Sequence, residues 1–258
     1  MSRTVILTRP LPVHDRVMAV LEAEVVPVLE LPTMTVSPYV DAEQEQHLCQ
    51  SWSSYAGVMF VSQHAVAFAG QRLTQLGLDW HEPTWAAVVG QGSAQAIAQH
   101  WPHVRLVTPA LDDAQDSDGL WRALRQNNLV QSGQTVLIVR AQIGRDTFIQ
   151  RLQQANVSVD VWSCYRRDAL AWSAAQRGAF CSALNTSGVV LSVTSADGLL
   201  ALMANVPESD WPLLRQQKLV TLHPAIAAAA HGKGFTDVVV VPASLMANAL
   251  IEYSRQIN

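Results

Sequence analysis

The sequence predicts an α/β protein with parallel sheets, and three observations carry that reading. Short β-branched apolar runs alternate with longer stretches of helical spacing along the chain, the pattern of βα units. The Val- and Ile-rich runs lack polar alternation, as strands covered on both faces do. The chain also repeats itself at a nearly constant offset, so the βα pattern is doubled.

In chain order, strands are expected at "TVILT" (4–8), "GVMFV" (57–61), "AAVV" (86–89), "VRLVT" (104–108), "TVLIV" (135–139), "GVVLSV" (188–193), "LVTL" (219–222) and "DVVVV" (237–241). Helical spacing lies between them, as in "HAVAFAGQRL" and "GLLALMANV". The repeat sets Ser62 against Ser195, Gly90 against His223 and Pro109 against Pro242, each 133 positions apart. Arg9 stands against Arg140 at an offset of 131. After the first unit of each half comes an extended segment, "VVPVLELPTMTVSP" (25–38) and "VSVDVWSCYRRDAL" (157–170). Pro27, Pro32 and Pro38 discourage helix in the first of these. Both have strand-type composition and can pair. If they cross between two lobes, each half contributes its first unit to one lobe and the rest to the other. Two simple tandem domains are the alternative.

Composition narrows the function. The 258 residues are 49% hydrophobic and 15% charged, which suits sizeable cores and argues against disorder. A net charge of −4 and a pI near 6.0 predict no broad nucleic-acid surface. Cys49, Cys164 and Cys181 form no CxxC pair, so neither a disulfide framework nor a zinc site is expected. The start "MSRTVILTRP" runs straight into a strand pattern without a secretory signal, and "VVVVPASLMANALI" (238–251) falls short of a membrane span. A cytoplasmic protein with no membrane partner is the expectation.

The chemistry gathers at four turns: "VSQHAV" (61–66), "VGQGSAQA" (89–96), "TSADGL" (194–199) and "LHPAIA" (222–227). Each joins a strand to a helix through small or hydroxyl residues. Ser62, Ser93 and Ser195 are expected as helix N-caps, as is Asp118 or Ser117 in "DSDGLW". Capping alone would account for any one turn. Together, the turns collect at the carboxyl ends of parallel strands, where helix starts offer N–H groups and a positive dipole end. Two lobes doing this across a cleft would hold a polyanion with few basic residues. The Gly90-Gln91-Gly92-Ser93 turn lacks the P-loop lysine, and Gln95 replaces the third glycine of a dinucleotide fingerprint. Its repeat partner, His223-Pro224-Ala225-Ile226, shares neither form, so a nucleotide is not expected. No HExxH or GxSxG occurs, and no metal or cofactor site is expected. "LDDAQDSD" (111–118) reads as a solvated acidic loop, and the eight tryptophans as core or cleft wall.

Several stretches in order along almost the whole chain resemble the uroporphyrinogen-III synthase family: "ILTRP", "VMFVSQHAV", "VVGQGSAQA", "SDGL", "VLIVRAQIGRDTFIQRLQQANVSVDVWSCYRR", "VTSADGL" and "LHPAIAAAA". The most specific part is Arg140 to Arg145, with Tyr165-Arg166 closing the segment. The resemblance implies two flavodoxin-like lobes joined by a two-stranded β-ladder linker, with the active cleft between them. Lobe 1 would hold residues 1–30 and 168–258 and lobe 2 residues 37–160, with linkers at 31–36 and 161–167. It implies a lyase that cyclises linear hydroxymethylbilane to uroporphyrinogen III. Ring D is inverted and water is lost, through an azafulvene and a spiro intermediate. The implied enzyme needs no cofactor, acts as a monomer, and takes a substrate that hydroxymethylbilane synthase hands over.

Within that resemblance, Tyr165 matches the family's tyrosine at the inter-lobe linker. A phenol stays protonated at neutral pH, so it can assist loss of the hydroxyl as a general acid. Arg9, Ser62, Gln63, Gly90, Ser93, Arg140, Arg145, Thr194, Ser195 and His223 are the implied substrate-binding residues. Backbone N–H groups would carry most of the carboxylate binding, with guanidinium groups adding charge. The chain departs from the family where Ala141 follows Arg140 in place of glycine, and where Ala225 stands for an arginine. A non-catalytic two-lobed binding protein for an anionic small molecule is the alternative function.

Overall fold

A computed structural model describes residues 2–10, 16–144 and 146–256. In chain order the elements are β1 (Thr4–Leu7), α1 (Arg16–Ala23), β2 (Val28–Glu30), β3 (Met34–Pro38), α2 (Ala42–Ser51), β4 (Gly57–Phe60), α3 (Gln63–Leu76), β5 (Trp85–Ala87), α4 (Gln91–His100) and β6 (Arg105–Val107). There follow α5 (Ser117–Gln126), β7 (Thr135–Ala141), α6 (Thr147–Gln154), β8 (Ser158–Ala169), α7 (Ala174–Thr186), β9 (Val189–Ser192) and α8 (Ala196–Asn205). The last elements are α9 (Trp211–Leu214), β10 (Lys218–Thr221), α10 (Pro224–Gly232), β11 (Val238–Val240) and α11 (Met246–Arg255). The chain is an α/β protein with parallel sheets, and a strand lies at each expected apolar run.

Two compact units result: Met1–Thr35 with Asp168–Asn258, and Val36–Arg167. The first unit's sheet runs β2-β1-β9-β10-β11, the 2-1-3-4-5 order of flavodoxin-like folds. The second unit's strands run β8-β7-β4-β5-β6, with β3 beside β8. Counted along the chain, that order is permuted. Counted by the sequence repeat it is the same, because β7 and β8 are the counterparts of β1 and β2. The registers agree: Val5 pairs with Val28 and Val190, and its repeat counterpart Val136 pairs with Val159 and Gly57. Lys218↔Val190 likewise matches Trp85↔Gly57. Each half of the sequence therefore gives two strands to one unit and three to the other. The chain passes between units inside β3 and β8, which are hydrogen-bonded neighbours (Tyr39 N–H to Cys164 O, 3.1 Å).

Both sheets are covered on both faces, which is why their strands read as unbroken apolar runs. In the second unit Val58, Phe60, Leu137 and Val139 face α3. Met59, Val136 and Ile138 face the other way, onto Leu120 and Leu124 of α5. In the first, Ile6, Val189 and Leu191 meet Phe180 of α7 and Leu202 of α8, while Val5, Leu7 and Val190 meet Leu21 of α1 and Leu250 of α11. Of the eight tryptophans, Trp52, Trp85, Trp162 and Trp172 are buried and the others half-buried.

The acidic loop does more than solvate. Asp116 is the N-cap of α5 and accepts from Asp118 N–H (2.9 Å) and Gly119 N–H (3.0 Å). This corrects the expected cap at Ser117 or Asp118: both already lie in the helix. Asp113 pairs with Arg122, whose hydrogen bond holds its carboxyl below the usual range, and Asp118 meets Arg151 at 2.5 Å.

Two outcomes follow from the second unit's core. A Cβ on Gly57 would stand 2.1 Å from the indole of Trp85, itself 2% exposed, so the ring has nowhere to yield. Gly57→Ala is expected to lower the free energy of unfolding by about 1–3 kcal/mol, read from urea titrations. The thiol of Cys164 is buried and donates to Ala65 O; burial pushes it from 9.0 to about 12. The stability owed to keeping it protonated is complete below about pH 9 and is lost as pH rises toward 12. At pH 8, iodoacetamide is expected to modify exposed Cys49 and leave Cys164 of the folded protein unreacted, as peptide mass spectrometry would show.

Candidate functional site

Parallel strands bring their carboxyl ends to one edge, and in each unit that edge carries the turns singled out in the sequence. In the second unit, β4 ends at Phe60 and Ser62 caps α3. Its Oγ accepts from Ala65 N–H at 3.1 Å. The same Oγ lies 2.9 Å from the hydroxyl of Tyr165. The Tyr165 ring stacks on Phe68 of α3 (5.9 Å, 12°) and meets His64 at 5.9 Å.

Tyr165 reaches this position through a break in the β7–β8 ladder. Arg140 pairs with Ser163 but Ala141 pairs with Tyr165, so Cys164 is an extra residue on β8. Strict alternation would place Tyr165 on the face opposite Trp162 and Cys164. The bulge returns it to their face, where all three share the core under α3. Tyr165 therefore lies within β8, which runs unbroken through residues 161–167, and it is only 2% exposed. Its partly exposed neighbour Ser62 is the end of the hydroxyl pair nearer to solvent.

The β5 turn lies beside this one. A Cβ on Gly92 would stand 1.7 Å from the amide nitrogen of Gln63, so the glycine lets the Gln63 side chain lie across the first turn of α4. The cap of α4 is Gly90, in extended conformation (φ −95°, ψ 148°), and not Ser93 as the sequence suggested. Ser93 is the third helical residue and is 7% exposed. Gly90 brings no side chain to the helix start, so the first amides of α4 receive no side-chain cap.

At the end of β7, Arg140 donates from Nη1 to Oδ1 of Asp146 at 2.6 Å, and its stem packs on Gly144. Gln142 N–H donates to Tyr165 O at 2.8 Å, tying this turn to the tyrosine. Arg145 lies outside the described residues. The structure thus brings together Ser62, Gln63, Gly90, Ser93, Arg140 and Tyr165. Phe68, His64 and Asp146 were not singled out in the sequence.

In the first unit, Ser195 caps α8 by accepting from Gly198 N–H (3.0 Å), and His223 caps α10 through Nδ1, which accepts from Ala225 N–H (3.1 Å). Thr194 is half-buried just before the first cap, and Arg9 follows β1, which pairs with β9. Two threonines hold this edge. Thr8 donates to Ser192 O (2.7 Å), and Thr33 reaches Thr8 O (3.3 Å) and Gly198 O (3.2 Å). Arg9, Thr194, Ser195 and His223 thus share the edge at β1, β9 and β10.

Helix starts at α3, α4, α8 and α10 concentrate positive partial charge on these two edges, the arrangement that favours carboxylates. Among the described residues no group of three or more His, Cys, Asp or Glu side chains is placed to hold a metal.

The family described as Uroporphyrinogen-III synthase HemD matches residues 15–252. The uroporphyrinogen-III synthase of Escherichia coli (strain K12) is 25% identical over 242 residues, spanning 92% of this chain and 94% of that protein. That of Salmonella typhimurium (strain LT2) is 27% identical over 253 residues, with the same coverage. A mutant uroporphyrinogen III synthase from the extremely thermophilic bacterium Thermus thermophilus has the same fold, with a TM-score of 0.63 at 15% identity over 98% of both chains. So does the uroporphyrinogen-III synthetase of Helicobacter pylori 26695, at 0.62 and 13% identity over 99% of this chain and 100% of that one. A family match that spans nearly all the strands and turns described above leads to one assignment: this chain belongs to the uroporphyrinogen-III synthase family.

Proposed function

We propose that the chain cyclises hydroxymethylbilane to uroporphyrinogen III, inverting ring D and releasing water. The observation that carries the reading is the Tyr165–Ser62 hydroxyl pair at 2.9 Å, set at the head of α3 and next to the Arg140 turn. Ser62 Oγ already accepts from Ala65 N–H, so the pair retains a proton to give. In this reading that proton assists departure of the terminal hydroxyl as water. Tyr165 supplies it directly or through Ser62, its partly exposed partner. The azafulvene so formed is attacked by the substituted carbon of ring D, and the spiro intermediate fragments and recloses.

The rest of the task is positioning, which contributes several kcal/mol when reacting atoms are held in a near-attack geometry. Carboxylates of the substrate bind at the helix starts around Ser62, Gln63, Gly90 and Ser93, and around Thr194, Ser195 and His223. Arg9, Arg140 and Arg145 supply charge. Three of the four helix starts already give one amide to a cap, so α4, with glycine in the cap position, has the most backbone donors to offer. The reading includes action as a monomer in the cytoplasm on substrate delivered by hydroxymethylbilane synthase. Among the described residues, no helix is long and apolar enough to cross a membrane.

The test supplies hydroxymethylbilane, oxidises the product and determines the isomer. Isomer III is expected; isomer I alone overturns the function. Tyr165→Phe keeps the stacking on Phe68 and removes the hydroxyl, and is expected to lower kcat on the order of a hundredfold. Full kcat in that variant overturns the role of the phenol. Ser62→Ala removes the cap as well, so it is expected to cost about 0.5–2 kcal/mol of stability in addition to lowering kcat.

A further inference from the structure

We infer that Asp146 is a positioning residue for substrate binding: a resident carboxylate that occupies Arg140 until a substrate carboxylate displaces it. The inference rests on the proposed function and extends it to a residue with no role so far.

Three observations support the exchange. Arg140 is held on its site: its side chain is 16% exposed and its stem lies against Gly144, where a Cβ would come within 3.2 Å of Cδ. Asp146, by contrast, is 59% exposed, so the solvent-facing member of the pair is the carboxylate. An ion pair with one partner that open to water is weak and readily exchanged.

Asp146 also occupies the N-cap position of α6 and makes no side-chain cap bond there. Aspartate is among the best capping residues, and Asp41 and Asp116 use that chemistry at α2 and α5. At Asp146 the backbone is not extended as it is at those two caps (φ −101°, ψ 2°), and the carboxylate accepts from Arg140. Displacement from Arg140 therefore breaks no cap bond and returns the carboxylate to water, which already reaches it, so the cost of breaking the pair is small.

The test compares the wild-type chain with Asp146→Ser and Asp146→Asn. Both variants lose the competing charge, and α6 loses no cap bond because Asp146 makes none. With hydroxymethylbilane, KM is expected to fall about two- to fivefold in both variants, with the smaller change in kcat. The dissociation constant of uroporphyrin III, which carries the product's eight carboxylates in the same order on an oxidised ring, is expected to fall by the same factor. An unchanged or raised KM and dissociation constant in both variants overturns the inference; Asp146 would then merely support Arg140. If the wild-type protein forms no isomer III, the proposed function fails instead, and the uroporphyrin III measurement still reports whether Asp146 competes for Arg140.

Discussion

Two parallel strand pairings hold everything else in place: β1 with β9, and β7 with β4. Each lies at the centre of its sheet, and each joins residues far apart in sequence, Val5 with Val190 and Val136 with Gly57. Helices cover both faces of these pairs, so their side chains are buried whichever way they point. A slip of one residue would exchange the two faces and misalign every turn at the carboxyl edge. The Thr8 hydroxyl on Ser192 O fixes one pairing just where its turns begin, and Val61 N–H on Val139 O does the same for the other.

The proposed binding edge is a consequence of that geometry. Parallel strands deliver their turns to one side, and each of the four turns begins a helix, so positive helix ends accumulate there. This is how a chain with a net charge of −4 offers ground for an anion. The bulge at Arg140/Ala141 in the β7–β8 ladder is where the tyrosine is redirected toward α3. A regular strand would have left that phenol on the other side of the sheet.

Much of this was legible in the sequence. The apolar runs marked the strands because burial on both faces removes polar alternation. The offsets of 131 and 133 foretold equivalent registers, since pairing depends on strand spacing. Ser62 and Ser195 were readable as caps because a hydroxyl before a helical pattern has few other uses. Gly90 was not, because a cap without a side chain leaves no signal and Ser93 offered a decoy. Among Asp116, Ser117 and Asp118 any could have capped α5, and only backbone geometry decided for the first. The burial of Tyr165 rests on the bulge, which has no sequence signature. The pairing of Asp146 with Arg140 rests on backbone geometry at the start of α6 and on where Arg140 lies in space.

The crossing of the halves between units also has a temporal side. During synthesis the second unit is complete once Arg167 has emerged, and all its strands from β4 onward are contiguous. The first unit is not in that position. Its opening strands wait for β9, more than 150 residues later, a delay of roughly ten to thirty seconds at about 5–20 residues per second. Through that interval β1 and β2 carry apolar side chains with no sheet to join, while a fold with equivalent strand registers forms downstream of them. The N-terminal segment is thus the part of the nascent chain most exposed to mispairing, until β9 emerges to pair with β1.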